Sequence, residues 1–406
     1  MSLPAGAPGP LTGLLVADFS RVLAGPFATM MLADLGARVV KVERPGTGDD
    51  SRGYGPFLDG RSLYFARVNR GKESVVLDLK DPADRRLAVE LAGRADVVVE
   101  NYRPGVMGRL GLGWPALRRV NPQLVYCSIS GFGHTGPWSL RPAYDTVVQG
   151  MSGLMSVTGA EHGPPTKPGI PVADLSAGLY AFGGITSALL GRDRTGRGTH
   201  LDIAMYDATV SLLEGAALSW LATGVDPGRI GNAHFSIAPF DTFACADRDI
   251  TVCAANDLLF GALVTALELP ELLTDQRFSS NAARHQARDA LKAALEGALR
   301  TRSAAAWLAV LEAAGVPCGP ISDVAEAVGS PQSAARNMVV DAGGVPVPGN
   351  PVKLSTWADL PTRPAAPRLD EHGTAVRAEL AAPQPGPPST PAPPAHLTVA
   401  TPDWRS

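Results

Sequence analysis

Short apolar runs alternate with amphipathic stretches over about the first 200 residues of this 406-residue chain. The runs are rich in Val, Ile and Leu and have the length of buried strands, whereas the stretches between them repeat apolar residues at helical spacing. Alternation of strand and helix predicts an α/β protein with a largely parallel sheet. The strand-like runs are LLVADFS from Leu14, ARVVKVE from Ala37, SVVLDL from Ser74, ADVVVEN from Ala95, LVYCSIS from Leu124 and THLDIAM from Thr199.

The pattern changes after the sixth run. A helix is predicted from Tyr206 to Leu221, then a loop, then two short strands around FACADRDITVCAAN, then alanine-rich amphipathic helices from Leu258 to Ala314. The strand-like VPVPGNPVKLS follows, and the last residues are dominated by Pro, Ala, Ser and Thr. The predicted units are a large domain (1–205, with 330–380 returning to it), a small α+β domain (225–329) and a disordered Pro-rich tail (381–406).

Composition and charge restrict the function classes. With a formal net charge of −3 and no basic run, the chain is not expected to bind nucleic acid or an anionic membrane surface. No apolar run approaches the roughly 20 residues of a membrane-spanning helix, and the N-terminus lacks the pattern of a signal peptide, so we expect a cytoplasmic protein. Its four cysteines are widely spaced and give no metal signature.

The turn after the first strand argues against two common cofactors. A strand, a turn, a helix and a second strand resemble the start of a dinucleotide-binding unit, but the turn reads R-V-L-A-G-P-F from Arg21 and lacks G-x-G-x-x-G. Without those glycines the backbone cannot come close to a pyrophosphate. We therefore expect neither a nicotinamide nor a flavin.

One carboxylate is placed as a nucleophile could be. Asp174 lies between Pro171 and a stretch of apolar residues at helical spacing, where an N-cap residue is expected. A carboxylate at that position accepts free backbone N–H groups at the positive end of the helix dipole and should stay ionised at neutral pH. It could attack an activated acyl group, although a capping role alone would also explain it.

Several segments together resemble the class III CoA-transferases, the formyl-CoA and carnitine CoA-transferase type. Each segment alone is a weak signal, but their order and their span from about residue 11 to about residue 370 make the resemblance specific. The matching segments are ADFSRVLAGPFATMMLADLGARVVKVERPGTGDDSRG, SLYFARVNRGKESVVLDLK, ADVVVENYRPGVMGRLGLG, GFGHTGPW, AYDTVVQGMSGLMSVTG, the Asp174 segment, RTGRGTHLDIAMYDA and AAGVPCGPI.

This resemblance implies covalent catalysis by Asp174. In the family, the aspartate at this position attacks the thioester of the donor acyl-CoA and forms a mixed anhydride. The CoA thiolate then converts the anhydride to an aspartyl-CoA thioester, and the acceptor carboxylate runs the same steps in reverse. A thioester is exchanged for an anhydride of comparable activation, so neither ATP nor a metal is required.

The resemblance also implies which residues contact CoA. The phosphates of CoA need Arg and Lys side chains, and the chain offers several just after strands. The expected CoA-binding residues are Leu23, Arg44, Leu77, Lys80, Asn101, Tyr102, Arg103 and Arg109.

Particular residues narrow the substrate. Leu23 stands where formyl-CoA transferase has glutamine, and the second domain has no GGGGQ-like loop, which argues against an oxalate and formate pair. The chain looks more like the members that use succinyl-CoA with a dicarboxylic acid. A second carboxylate would need its own cation or donor, for which Arg21, Arg229 and His234 are candidates, and Tyr144 also belongs to the expected substrate site.

Other activities remain open at this point. The racemases of 2-methylacyl-CoA in the family carry a histidine where this chain has Tyr144, and a phenol is a poor base for an α-proton. His134 lies near in sequence, but a surface histidine is the simpler interpretation. A non-catalytic CoA-binding protein would bind CoA without acylation of Asp174, and a hydrolase would release the anhydride to water.

The family resemblance implies the assembly as well. The large domain should be Rossmann-like and bind CoA, and two chains should form a homodimer of interlocked rings. The long helical connection after Tyr206 and the return after Val340 are what such threading requires.

Overall fold

The computed structural model describes residues 9–383 and has a parallel sheet at its centre. The strands of this sheet pair in the order β3-β2-β1-β4-β5-β6, which is the order of a doubly wound α/β fold. The predicted α/β class with a parallel sheet is confirmed. The strands are β1 (Leu15–Asp18), β2 (Arg38–Glu43), β3 (Lys72–Val76), β4 (Val97–Glu100), β5 (Val125–Ser130) and β6 (Thr199–Ala204).

Helices cover both faces of the sheet, which is why β4 and β5 are buried along their whole length. The helices are α1 (Ala24–Asp34), α2 (Leu63–Asn69), α3 (Pro82–Arg94), α4 (Val106–Arg109), α5 (Trp114–Val120), α6 (Asp145–Met151), α7 (Leu154–Val157), α8 (Val172–Thr195), α9 (Met205–Ser211), α10 (Glu214–Thr223), α11 (Asp257–Ala266), α12 (Asn281–Gln286), α13 (Arg288–Leu299), α14 (Ala304–Ala313), α15 (Val324–Val328), α16 (Pro331–Ala335) and α17 (Gly373–Ala381).

The order of the strands reverses between β1 and β4. Val16 of β1 lies opposite Val39 of β2 on one side and Val97 of β4 on the other. The connections from β1 to β2 and from β4 to β5 therefore leave in opposite directions and open a crevice at the carboxyl ends of these two strands. In open parallel sheets this crevice is the usual place for a ligand.

The helix that carries Asp174 packs closely on the first helix. Small residues of α8, including Ala177 and Ala181, face α1 and the sheet and are fully buried. At Gly178 the two helices are so close that an added methyl group would lie 2.8 Å from the carbonyl oxygen of Ala24. The loop before α1 and the first turn of α8 are thus held side by side.

Large apolar side chains lie on the outer surfaces of α8 and α10. Leu179 and Leu190 of α8 are exposed, as are Trp220 and Leu221 of α10. By length and composition α8 could cross a membrane, but its small residues pack in the core of the sheet. The helix predicted over Tyr206–Leu221 is two helices, because the chain turns at Leu212 and Leu213 between α9 and α10.

A second group of elements forms its own core after α10. Strands β7 (Phe240–Ala244), β8 (Asp249–Cys253) and β9 (Cys318–Pro320) make an antiparallel sheet. Helices α11 to α14 pack on it around Phe243, Ile250 and Trp307. The two strands and the helices predicted for this segment are confirmed.

The chain then returns to the first sheet. Strands β10 (Val339–Ala342), β11 (Pro346–Pro348) and β12 (Thr362–Arg363) form a small sheet, and α17 follows. His372, just before α17, pairs with the open edge of β3, since its backbone N–H donates to the carbonyl of Ser74. Val376 and Leu380 of α17 join the core beside the central sheet. The predicted disordered tail lies, from residue 384 on, outside the described residues.

Candidate active site

Side chains from three loops meet at the crevice between β1 and β4. Asn101, directly after β4, accepts the backbone N–H of Arg21 at 2.8 Å and donates to the carbonyl of Arg21 at 2.7 Å. The guanidinium of Arg21 lies 5.4 Å from the centre of the Tyr102 ring. Arg21 and Arg44 both donate to the carboxylate of Asp50. Two cations from different loops are therefore held together at the mouth of the crevice.

A buried charge network supports this crevice from below. Lys41 of β2 bonds the carbonyl of Ser20 at 2.7 Å and pairs with Asp49 at 2.9 Å, and both side chains are almost fully buried. The Asp49 carboxylate also accepts the backbone N–H of Val22, whose φ is +66°, in the left-handed region. Such a conformation is unfavourable for valine unless the surroundings hold it. The loop between β1 and α1 is thus fixed by ionic contacts.

The other residues expected to bind CoA lie along the same edge but differ in exposure. Leu23 is the N-cap residue of α1 and is buried, and Leu77 is buried directly after β3. Lys80, Arg103 and Arg109 are exposed in the connections that leave β3 and β4. The structure therefore gathers Arg21, Arg44, Asn101 and Tyr102 at the crevice, while no side-chain hydrogen bond or ion pair within residues 9–383 joins the three exposed cations to these residues.

Asp174 occupies the first turn of α8. The N-cap position is Pro171, which has no side-chain cap, so the prediction that Asp174 is the N-cap residue was wrong. The cap comes from another segment, because Oδ1 of Asp145 accepts the backbone N–H of Ala173 at 2.9 Å and that of Asp174 at 3.3 Å. The buried Gln149 donates to Oδ2 of Asp145 at 2.6 Å and fixes that carboxylate.

The charge state of Asp174 also differs from the sequence expectation. Burial, and next the negative charge of Asp145, raise the pKa of the Asp174 carboxyl to about 7, and the nearby Arg67 opposes this rise. The helix dipole predicted a carboxylate ionised well below neutral pH. Loss of water and a like charge outweigh the dipole here. At neutral pH the carboxyl is poised between its two forms, and as an anion it is a more basic nucleophile than an ordinary aspartate.

Two residues that the sequence analysis passed over lie near Asp174. The guanidinium of Arg67 stacks on the ring of Tyr64, with its central carbon 3.8 Å from the ring centre. Burial raises the pKa of Tyr64, and the charge of Asp174 adds to that rise. The Nε atom of Arg67 is buried and has no hydrogen-bond partner. Both residues lie in the family-like segment SLYFARVNRGKESVVLDLK, but nothing in that segment distinguishes Arg67 from its other cations.

The residues predicted to hold a second carboxylate have other surroundings. The side chain of Arg229 donates to the backbone carbonyls of Gly163 and Ser156, which fixes the loop before α8. Tyr144 precedes α6 and is 76% exposed. His234 lines a cavity of about 270 Å³ that is bounded by α13. Its Nδ1 atom accepts the backbone N–H of Ser236 at 3.1 Å, so the neutral ring carries its proton on Nε2.

A second carboxyl group with a raised pKa, that of Glu100, lies at the end of β4 beside β5. Burial raises the pKa of Glu100 to about 7, although hydrogen bonds from Ser128 and from the Tyr102 backbone oppose the rise. His134 is half-buried, and its Nε2 atom lies 4.0 Å from the Glu100 carboxylate. His134 is therefore not the plain surface residue that its loop position suggested. A cluster assembled from separate strands leaves no spacing signal in the sequence.

The described residues 9–383 contain no group of three or more His, Cys, Asp and Glu side chains arranged to hold a metal ion. The chemistry available at the site is that of a poised carboxyl beside a helix start, next to a crevice lined by cations. Such an arrangement can form and break acyl bonds at Asp174.

Comparisons with known proteins place these features in a family. The chain matches the family model CoA-transferase family III over residues 11–373. It is 54% identical to an acetyl-CoA:oxalate CoA-transferase of Acetobacter aceti, with 94% of this chain and 98% of that protein covered. It is 40% identical to a succinyl-CoA:glutarate CoA-transferase of Homo sapiens, with 91% and 86% covered. A solved CAIB/BAIF family protein from Brucella suis has a TM-score of 0.83 and 44% identity, covering 92% of this chain and 100% of that one.

Proposed function

The chain belongs to CoA-transferase family III, and from this membership we propose that it moves CoA from a short acyl-CoA to a dicarboxylic acid through Asp174. The observation that carries the proposal is the environment of Asp174. Its carboxyl is buried, lies at the start of α8 beside Asp145, and has a pKa raised to about 7. A carboxyl in that state is nucleophilic at neutral pH and is held in one place.

The proposed reaction needs no outside reagent. The Asp174 carboxylate attacks the thioester carbonyl, the carbon–sulfur bond breaks, and CoA leaves as a thiolate, which gives an anhydride. The thiolate then attacks the Asp174 acyl carbon, the donor acid leaves as a carboxylate, and an aspartyl-CoA thioester remains. The acceptor carboxylate attacks that thioester and releases the thiolate, which next attacks the acceptor carbonyl and regenerates the Asp174 carboxylate. No proton is consumed over the cycle.

We propose that the crevice between β1 and β4 holds the nucleotide end of CoA. Arg21 and Arg44 converge there on Asp50, and guanidinium groups suit phosphate oxygens. Lys80, Arg103 and Arg109 add positive charge around the same edge. The crevice is the usual ligand position in a doubly wound sheet, which supports this assignment.

We infer the class of the acceptor acid from the names of the relatives. One relative is named for oxalate and another for glutarate, and both acids carry two carboxylates. We propose a short dicarboxylic acid as acceptor and retain succinyl-CoA as the expected donor. Acetyl-CoA is the second donor to test, because the relative with 54% identity is named for it.

We propose further that two chains form an interlocked homodimer. Large apolar side chains of α8 and α10, including Leu190, Trp220 and Leu221, are exposed, and such side chains are typical of an interface between proteins when they form one patch. An obligate interface would bury them, and unfolding would then be coupled to dissociation.

The experiment that tests the function is a mass measurement of the intact protein after mixing with succinyl-CoA or acetyl-CoA, followed by peptide mapping. We expect an adduct on the Asp174 peptide that disappears when a dicarboxylic acid is added. Asp174→Ala should form no adduct yet still bind CoA. Transfer that persists in Asp174→Ala would reject the mechanism. If no acyl-CoA labels the protein, deuterium exchange into the α-position of a 2-methylacyl-CoA would test the racemase alternative.

A further inference from the structure

Arg67 differs from Arg21 and Arg229 in having a buried donor without a partner in the part of the chain that the structure describes. Arg21 is paired with Asp50, and the side chain of Arg229 bonds backbone carbonyls. Arg67 forms no ion pair within residues 9–383, and its buried Nε atom donates to nothing there. A buried donor without a partner costs stability, so a ligand that brought an acceptor to Arg67 would gain a favourable contact.

The orientation of Arg67 suits a planar anion. The central carbon of its guanidinium lies over the Tyr64 ring, 3.8 Å from the ring centre, so the ring holds one side of the group. Ser62 caps α2 by accepting the backbone N–H of Phe65 at 3.0 Å, so the turn that carries Tyr64 and Arg67 has a fixed start. A guanidinium held in this way can bind both oxygens of a carboxylate.

The position of Arg67 relative to Asp174 fits a substrate with two charged ends. Val68, the residue after Arg67 in α2, lies in the same apolar cluster as Leu175, the residue after Asp174 in α8. The charge of Arg67 also lowers the pKa of the Asp174 carboxyl against the effect of burial. An acid that reacts at Asp174 through one carboxylate must place its other carboxylate nearby. Without a cation, that second charge would be repelled by Asp145.

We propose that Arg67, stacked on Tyr64, binds the non-reacting carboxylate of the dicarboxylic acid and thereby selects dicarboxylic over monocarboxylic acceptors. The inference rests on the proposed function and deepens it, because it assigns the acceptor class to one side chain. A different role is possible for the same residue: Arg67 could serve only to favour the ionised form of Asp174. The first role affects discharge by dicarboxylic acceptors, whereas the second affects formation of the adduct from acyl-CoA.

The test uses the second half-reaction alone, so that the donor does not matter. The aspartyl-CoA form of the full-length protein is prepared, and its discharge is followed in a single turnover by mass. Oxalate, succinate and glutarate are each compared with the monocarboxylic acid of equal length, namely acetate, butyrate and valerate. The proteins are wild type, Arg67→Gln, Arg67→Lys and, as a matched control, Arg118→Gln, whose side chain is exposed on α5.

We expect Arg67→Gln to raise the half-saturating concentration of the best dicarboxylate by about 10- to 100-fold, the range for one charged hydrogen-bonding contact. Discharge by the matching monocarboxylate should change by less than about threefold. Arg67→Lys should keep part of the preference, because it retains the charge without the planar fork. Arg118→Gln should behave as wild type.

Three results would overturn the inference. Equal loss for both acids would assign Arg67 to a step common to all acceptors, and an acidic limb moved to higher pH in adduct formation from the acyl-CoA would assign it to the ionisation of Asp174. An unchanged preference in Arg67→Gln would remove it from the acceptor site. A folded Arg67→Gln protein that cannot form the adduct would place its role in the first half-reaction. If the wild type itself forms no adduct, the proposed function fails, and the inference fails with it.

Discussion

Asp145 accepts the backbone N–H of Asp174 at 3.3 Å, so that one carboxylate caps the helix turn that presents the other. The contact has an electrostatic consequence as well, because the charge of Asp145 adds to burial in raising the pKa of Asp174 to about 7. Geometry and acidity at the candidate nucleophile therefore depend on the same residue.

The first prediction concerns the pH dependence of transfer. Since the nucleophile must be ionised, kcat/KM should rise with pH through about 7 and level off above it. Asp145→Asn keeps an oxygen that can accept the helix N–H groups but removes the like charge, so the acidic limb should move to lower pH. Initial rates over pH 5 to 9 at fixed ionic strength measure this, and a limb that stays in place would show that Asp145 does not tune Asp174.

The second prediction is a gain of stability when the nucleophile is removed. The folded-state pKa of Asp174 lies above its unfolded value of 3.8, so the folded state binds more protons and is destabilised as pH rises from about 4 to about 7. Asp174→Asn should therefore be more stable than wild type at pH 8, by at most about 4 kcal/mol and less where solvent reaches the group. The difference should fade near pH 4. Denaturant unfolding at equal protein concentration measures the free energy of unfolding of both proteins at the two pH values.

The third prediction concerns Asp50, which holds Arg21 and Arg44 together. If the two arginines bind CoA phosphates, the Asp50 charge competes with the ligand. Asp50→Asn should then tighten CoA binding by about 3- to 10-fold at low salt, and added salt should reduce the gain. Arg44→Gln is the opposite control and should weaken binding, and dephospho-CoA shows whether the 3′-phosphate is involved. Weaker binding in Asp50→Asn would mean that Asp50 positions the arginines instead.

The fourth prediction tests the contact between α1 and α8. In Gly178→Ala the new methyl group would lie 2.8 Å from the carbonyl oxygen of Ala24 and from a ring carbon of Phe27. The helices must separate, at a cost of about 1–3 kcal/mol, and transfer activity should fall because the Leu23 loop and Asp174 move apart. Gly191→Ala in the same helix meets nothing within 4 Å and should be neutral or slightly stabilising. A Gly178→Ala protein as stable and active as wild type would contradict this account.

The sequence predicted the sheet well because parallel strands that are buried on both faces read as continuous apolar runs. All six runs became strands, and the family resemblance drawn from ordered blocks is confirmed by the match over residues 11–373. The helical spacing of apolar residues was a less reliable guide to which face of α8 is buried. Leu179, one of the apolar residues at helical spacing after Asp174, is 52% exposed, whereas alanines form much of the buried face, because close contact with α1 selects small side chains there.

The sequence predicted those residues of the site that directly follow strands. The crevice residues Arg21, Asn101 and Tyr102 follow strands, and strand ends can be read from the chain. The raised pKa of Asp174 could not be predicted from the sequence, because it depends on burial and on Asp145, which lies 29 positions away. Arg67 was missed for a related reason, since its relation to Asp174 exists only after α2 and α8 have packed.

The pairing of the C-terminal segment with β3 joins residues almost 300 positions apart. A ribosome makes β3 early, yet His372, Val376 and Leu380 emerge only near the end of synthesis. Through most of translation the growing chain therefore carries a sheet with an uncovered edge, which can pair with the edge of another nascent chain. Messages truncated before the codon for Asp370, whose carboxylate also accepts the backbone N–H of Val76, should accordingly yield aggregated product, and complete synthesis should depend on chaperones that shield β3 until this segment and α17 emerge.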